Sequence, residues 1–97
     1  MDGPDAEAEE VARLFRAARA AGERAYVPYS GFRVGAALLA EDGSLHAGCN
    51  VENAAYPQSQ CAEATAIGAM VAAGHRRIVR ILVVGGREGD GLLCTPC

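Results

Sequence analysis

The sequence predicts an α/β fold from two helical patterns and three apolar runs. A helical pattern over residues 5–24 comes first, and two apolar runs over 32–40 and 45–50 follow it. A second helical pattern runs from about Gln60 to Gly74, and residues 78–84 form a third apolar run. Helices that alternate with apolar strands are typical of a sheet with helices packed on it.

The first helical pattern is amphipathic. Its acidic residues come early and its arginines late, which suits the helix dipole, and its apolar positions are Val11, Leu14, Phe15 and Ala18. The segment 26–31 contains Pro28 and Gly31, so we expect the chain to turn there.

The two apolar runs that follow are expected to form a hairpin. Glu41-Asp42-Gly43-Ser44 joins them, and Asp-Gly between two apolar runs is a strong hairpin signal. The third run, residues 78–84, is apolar at nearly every position, which predicts a strand buried on both faces. Gly74 is the expected C-terminal cap of the second helix.

Cys61 and Glu63 stand at the start of the second helical pattern. In the first turn, backbone N–H groups and the helix dipole favour a thiolate at Cys61, the form that binds metal. Glu63 would then lie beside the metal without ligating it, as in half of a catalytic zinc site. The alternative is a buried cysteine at a helix start with an exposed glutamate.

The segment between the hairpin and this helix is polar. Asn50 and Glu52 offer a donor and acceptors suited to sugar hydroxyls. A solvated loop with turn-forming asparagines is the alternative interpretation. His46 and His75 are predicted to be surface residues.

Composition narrows the classes of function. The 97 residues predict one domain, and the net charge of −3 without a basic block argues against a nucleic-acid surface. No apolar run approaches the roughly 20 residues of a membrane span, and the acidic start does not resemble a signal peptide. We therefore expect a cytoplasmic protein with reduced thiols, whose four cysteines are metal ligands or core residues.

Four segments stand in a characteristic order, namely Phe32-Arg33-Val34-Gly35-Ala36-Ala37-Leu38, Gly48-Cys49-Asn50-Val51-Glu52-Asn53-Ala54, Cys61-Ala62-Glu63 and Pro96-Cys97. In residues and spacing they resemble the small zinc-dependent cytidine deaminases. The resemblance implies a three-layer α/β/α sandwich on a mixed five-stranded sheet. It also implies a homo-oligomer, usually a tetramer, with active sites at subunit interfaces.

The resemblance further implies a site for zinc and a nucleoside. Zn²⁺ would be held by Cys61, Cys97 and a third cysteine, and Glu63 would carry the protons. The reaction would convert cytidine or deoxycytidine to uridine or deoxyuridine plus ammonia, a step of pyrimidine salvage. The implied substrate-binding residues are the Ala62 backbone N–H for the reacting oxygen, Asn50 and Glu52 for the ribose 3′-hydroxyl, and Phe32 beside the nucleoside.

The chain departs from the family pattern in two places. Ala64 stands where many members have an arginine, and the family motif continues as Pro-Cys-Gly-x-Cys where this chain ends at Cys97. We therefore expect residues 1–97 to be one deaminase-like domain whose C-terminal part is missing, and to be inactive alone.

The sequence is also compatible with three alternatives to a cytidine deaminase. Cys94 and Cys97 have the spacing of a zinc knuckle and with Cys61 would form a closed structural site. The deaminase scaffold could also serve as an inactive interaction module. Deaminases of other aminated heterocycles, such as blasticidin S, share Cys-Ala-Glu.

Overall fold

The computed structural model describes residues 4–52, 60–86 and 92–94. Two helices and four strands follow one another in the order α1 (Pro4–Gly22), β1 (Arg33–Ala40), β2 (Leu45–Cys49), α2 (Ala62–Ala72), β3 (Ile78–Gly86) and β4 (Leu92–Cys94). The expected helices, hairpin and third strand are confirmed with small shifts of their ends. The short strand β4 was not predicted.

The strands form one sheet in the order β2-β1-β3-β4, so β1 lies inside it between its hairpin partner and β3. All three strand pairs are antiparallel. The resemblance implied a mixed sheet; among the described residues, parallel pairing occurs at the isolated bridge between Tyr26 and Val51. The α/β class itself is confirmed.

Alternate residues of β1 face opposite helices, because successive side chains in a strand point to opposite sides of the sheet. Ala37 and Leu39 pack with Leu14 and Ala18 of α1. The intervening residues pack against α2 in a second cluster that comprises Ala36, Leu38, Ala40, Ala62, Ala66, Met70 and Val83. The two helices therefore cover opposite faces, and the three-layer α/β/α arrangement is confirmed.

Glycine allows both helices to approach the sheet closely. A Cβ built on Gly35 of β1 would lie 1.8 Å from the carbonyl oxygen of Ala18 in α1. On the other face, a Cβ on Gly48 of β2 would lie 2.5 Å from the backbone nitrogen of Ala66 in α2. Both contacts are shorter than real Cβ atoms make, so any side chain would push the helix away.

The prediction that β3 is buried on both faces is wrong for its first residues. Val79 is 63% exposed, whereas Val83 and Val84 are buried. Two features explain the difference. α2 packs mainly on β1 and β2, and the β1–β3 register shifts between Leu39 and Ala40, which leaves Val79 between the paired residues Ile78 and Arg80.

The two histidines are partly buried rather than fully at the surface, and their rings lie 5.9 Å apart. His75 Nε2 lies 3.1 Å from Asp42 Oδ2, and His46 Nε2 lies 2.9 Å from Ser44 Oγ. These contacts fasten the β1–β2 turn to the loop that precedes β3. Within the part of the chain that the structure describes, no helix is long and apolar enough to cross a bilayer.

Candidate active site

At the start of α2, a thiol is exposed to solvent and a carboxylate two residues later is buried. Cys61 is the N-cap residue of α2 and is exposed, whereas Glu63 in the first turn is only 7% exposed. The alternative of a buried cysteine with an exposed glutamate is therefore wrong. Burying a carboxylate is costly unless it has partners, so its position in the first turn requires a specific environment.

Backbone pairing holds this helix start beside the segment that follows β2. Val51 and Gln60 exchange two N–H···O=C hydrogen bonds of 2.9 Å each, and Gln60 is the residue before Cys61. On its other side, Val51 lies beside Tyr26, whose N–H donates to the Asn50 carbonyl at 3.1 Å. Residues 50–52 therefore run as a short extended segment between the end of α1 and the start of α2.

Asn50 uses its side-chain amide to fasten the beginning of β1. Its Oδ1 accepts from the Val34 N–H at 2.9 Å, and its Nδ2 donates to the Phe32 carbonyl at 2.9 Å. A primary amide has two donor hydrogens and two acceptor lone pairs. These two contacts leave one amide hydrogen and one lone pair for other groups.

Glu52 lies on the same side of the extended segment as Asn50, two residues on. Its Oε1 accepts from the backbone N–H groups of Tyr29 at 3.0 Å and Ser30 at 3.1 Å, and its Oε2 accepts from the Ser30 hydroxyl. The hydrogen bond from the Ser30 hydroxyl is the main reason that the pKa of Glu52 lies below its ordinary value. Glu52 is therefore a carboxylate at neutral pH.

The backbone of Phe32 is held directly by the side chain of Asn50 and, through Ser30, by that of Glu52. Its carbonyl accepts from Asn50, and its N–H donates at 3.1 Å to Ser30 Oγ, which in turn donates to Glu52. The Phe32 residue is 42% exposed. A large apolar ring that stays in contact with solvent beside two polar side chains is suited to stack on a planar ligand.

The other cysteines lie in different surroundings from Cys61. Cys49 is the register partner of Gly35, which faces α1, so Cys49 lies on the side of the sheet away from α2. Cys94 is the register partner of Val83 in β3. The expected ligand Cys97 lies outside the described residues, within which no three His, Cys, Asp or Glu side chains form a group that could hold a metal ion.

The surroundings of Cys61 nevertheless suit a zinc ligand. Cys61 is an exposed thiol at a helix N-terminus, and thiolate sulfur is a preferred zinc ligand. Glu63 lies within the same turn. The assignment of Cys61 and Cys97 as ligands stays a prediction.

The chain matches the family model described as the cytidine and deoxycytidylate deaminase zinc-binding region over residues 8–97. It belongs to this family. Among solved structures, cytidine deaminase from Mycobacterium leprae is 44% identical, with a TM-score of 0.80 over 88% of this chain and 69% of that one. The enzyme from Mycobacterium tuberculosis has the same TM-score at 41% identity, over 88% of this chain and 67% of that one.

Among curated relatives, the cytidine deaminase of Sporosarcina psychrophila is 48% identical over 91% of this chain. That of Halalkalibacterium halodurans is 46% identical over 87% of this chain. The chain spans 65% and 64% of the length of these two relatives. Membership of a zinc-binding deaminase family confirms the expected family, its fold and Zn²⁺ as its metal.

Sequence reasoning missed Ser30, Tyr29 and Val34, which hold the predicted substrate-binding residues. The contacts of Ser30 and Tyr29 with Glu52 span 22 and 23 positions of the chain. The available signal was the i, i+2 spacing of Asn50 and Glu52. In an extended segment this spacing places both side chains on one side, where they can reach the same neighbouring segment of chain.

Proposed function

We propose that this protein catalyses the zinc-dependent hydrolytic deamination of cytidine or deoxycytidine to uridine or deoxyuridine and ammonia. The observation that carries the proposal is the arrangement at the start of α2, where the exposed thiol of Cys61 precedes the buried carboxylate of Glu63 by two residues. Family membership and the relatives' names support the same reaction. They favour cytidine over other heterocycles such as blasticidin S.

Zinc held by Cys61 and Cys97, together with a third ligand, would make a water molecule nucleophilic near neutral pH. Glu63 would accept a proton from the attacking water and deliver it to N3 of the base as the oxygen adds to C4. Glu63 would then take the second proton from the hydroxyl now on C4 and transfer it to the amino nitrogen. The bond from C4 to that nitrogen breaks, ammonia leaves, and the C4 oxygen becomes the carbonyl of the product. The N–H of Ala62, in the first turn of α2, lacks an intrahelical acceptor and is suited to bind the oxygen.

The remaining hydrogen-bonding capacity of Asn50 and Glu52 is complementary to a hydroxyl group. Asn50 retains one amide hydrogen, and Glu52 retains one lone pair after its three contacts with residues 29 and 30. A sugar hydroxyl can accept from the amide and donate to the carboxylate at the same time. We assign this pair to the 3′-hydroxyl of the ribose and Phe32 to the face of the nucleoside.

We propose that a second copy of the chain packs against the outer face of α2. Glu63 is the only charged residue in α2, and it is buried. The outer face exposes Val71 at 51% together with Ile67, Ala64, Ala69 and Ala72. A helix without charges on its outer face is usually buried against another element. We therefore propose a homo-oligomer, a tetramer or a dimer.

The proposed setting is pyrimidine salvage in the cytoplasm. Zinc binding through Cys61 and Cys97 requires thiols that are not oxidised, and reducing compartments maintain this state. The substrate is a free nucleoside rather than a nucleic acid, in keeping with the net charge of −3. Residues 1–97 would belong to one deaminase domain.

The decisive variant is Glu63→Gln in the full-length, zinc-loaded protein. It keeps the shape of the side chain but removes the proton carrier, so deamination should slow by at least ~10²-fold while zinc content is retained. Ammonia release and uridine formation are the readouts. Glu41→Gln, at an exposed position beside the β1–β2 turn, is the matched control and should keep normal turnover.

Two results would contradict this proposal in different ways. Near-normal turnover of Glu63→Gln would remove Glu63 from the mechanism. Absence of turnover of both cytidine and deoxycytidine by the unaltered zinc-loaded protein would reject the reaction itself.

A further inference from the structure

Ser30 contacts two of the proposed substrate-binding residues at once. Its hydroxyl donates to Glu52 Oε2 and accepts from the Phe32 N–H at 3.1 Å, while its own N–H donates to Glu52 Oε1 at 3.1 Å. The Tyr29 N–H completes the set at 3.0 Å. One residue of the turn between α1 and β1 thus joins the carboxylate assigned to the sugar with the aromatic residue assigned to the nucleoside.

These contacts determine which lone pair of Glu52 is left for a ligand. A carboxylate has about four acceptor sites, two on each oxygen. Oε1 uses both of its sites on the two backbone N–H groups, and Oε2 uses one on the Ser30 hydroxyl. The remaining site is on Oε2, next to the Ser30 hydroxyl, so the direction in which Glu52 accepts another hydrogen bond is fixed.

Stability alone does not account for this arrangement. Tyr29, Ser30 and Phe32 are exposed, and hydrogen bonds among exposed groups contribute little because water replaces them. Holding an exposed turn in one conformation also costs conformational entropy. A carboxylate held in advance by three donors, however, lowers the entropy that must be lost when a ligand binds.

We propose that Ser30 is a positioning residue for substrate, which holds Glu52 and Phe32 in one fixed relationship so that sugar and base are bound together. The inference rests on the proposed function and deepens it. Ser30 acts through Glu52 and Phe32 and takes no part in proton transfer. Its removal should therefore weaken binding of the ground state and the transition state equally, which raises KM and leaves kcat nearly unchanged.

The test compares Ser30→Ala with the unaltered full-length, zinc-loaded protein. Without the Ser30 hydroxyl, Glu52 has to be ordered when cytidine binds, which should raise the KM by about 2- to 10-fold, the cost of ordering one side chain. Ser30→Thr retains the hydroxyl and should restore most of the affinity. Ser44→Ala is the matched control, because Ser44 Oγ also donates to a carboxylate, Asp42 Oδ1 at 2.6 Å, but in the β1–β2 turn. Its KM should be unchanged.

A substrate without the sugar hydroxyl separates positioning from general damage to the fold. With 3′-deoxycytidine the contact to Glu52 is absent, so Ser30→Ala should raise KM much less than it does with cytidine. Glu52→Gln should show the same selectivity, and adding it to Ser30→Ala should produce a less than additive effect because the two residues act together.

The outcomes test the positioning role of Ser30 separately from the proposed deaminase function. An unchanged KM, an equal loss on both substrates, or a fall in kcat alone would overturn the positioning role and leave the deaminase assignment intact. If Ser30→Ala does not fold, Ser30→Cys, which keeps a similar size but is a weaker donor, decides by the same substrate comparison. Absence of cytidine turnover in the unaltered protein would reject the proposed function, and the positioning role with it.

Discussion

Gly48 of β2 lies directly against Ala66 of α2. A Cβ on Gly48 would be 2.5 Å from the Ala66 nitrogen and 2.8 Å from Thr65 Cβ. Thr65 donates its N–H and its hydroxyl to the Cys61 carbonyl, at 3.1 Å and 3.2 Å. Because Gly48 has no side chain, the first turn of α2 can pack directly against β2. This turn carries Glu63, so Gly48 determines how closely Glu63 approaches the sheet.

Gly48→Ala should destabilise the protein by about 1–3 kcal/mol, because the new methyl group meets backbone rather than a flexible side chain. It should also displace the start of α2 and lower turnover. Gly68→Ala is the control, since a Cβ there meets nothing within 4 Å, and it should raise stability by about 0.5–1 kcal/mol through helix propensity. Denaturant unfolding measures both, and equal stability of the two variants would contradict the packing argument.

Zinc content should depend on Cys61 and not on Cys49. Cys61 is the N-cap residue of α2, whereas Cys49 lies on the α1 side of the sheet. Cys61→Ala should therefore lose most of the bound zinc, and Cys49→Ala should retain about one ion per chain. Metal analysis of the purified full-length proteins is the measurement. Loss of zinc from Cys49→Ala with retention in Cys61→Ala would reverse the assignment of the ligand.

Asp42 should stabilise the folded protein in a pH-dependent way. Hydrogen bonds from the Ser44 hydroxyl and N–H lower the pKa of Asp42 from its ordinary value of 3.8, and the nearby His75 acts in the same direction. A lowered folded-state pKa gives stability that is present above 3.8 and is lost as the pH falls through the folded-state pKa.

Asp42→Asn should therefore lower the Tm near neutral pH, and the difference from the unaltered protein should shrink as the pH falls below 3.8. Ser44→Ala removes one of the two donors and should show a smaller difference of the same sign. Thermal unfolding across this pH range is the measurement. A difference in Tm that stays constant with pH would show that the charge of Asp42 is not involved.

Association should depend on the outer face of α2. Val71→Glu places a charge on this face and should shift the protein from oligomer towards monomer in sedimentation experiments, because a buried unpaired charge opposes association. Val11→Glu makes the same change on α1, where Val11 is 38% exposed, and should leave the oligomeric state unchanged. Equal effects of the two substitutions would exclude α2 as the interface.

Local patterns were sufficient to predict both helices and the first three strands. Asp42-Gly43 marked the hairpin, and the φ of +89° at Gly43 is the conformation that such a turn needs from glycine. The position of Cys61 at a helix start followed from the helical pattern alone. The three residues of β4 were too few to give a period, since alternation needs at least four residues to be recognised.

Features that depend on distant parts of the chain could not be predicted. The exposure of Val79 follows from which strands α2 covers, and apolar composition does not report this. Glu52 offered acceptors that suit a sugar or water equally well, and only the fold shows that Tyr29 and Ser30 occupy three of its sites. Residue type and position suggested that Glu63 lies beside a metal and that Asn50 suits a sugar hydroxyl. The proton-carrying role of Glu63 and the assignment of Asn50 to the 3′-hydroxyl came from family resemblance.

The inner position of β1 also influences the order of folding. β1 pairs with β2 across a four-residue connection, and such hairpins form within about 1–10 μs. Its other edge pairs with β3, which requires closure of a long loop that contains α2, and contacts between residues far apart in sequence form slowly. We therefore expect β3 to dock after the hairpin has formed. Val83 of β3 belongs to the cluster on which α2 packs, so the surface beneath α2 is complete only then, and the thiol and carboxylate of its first turn should acquire their final positions late.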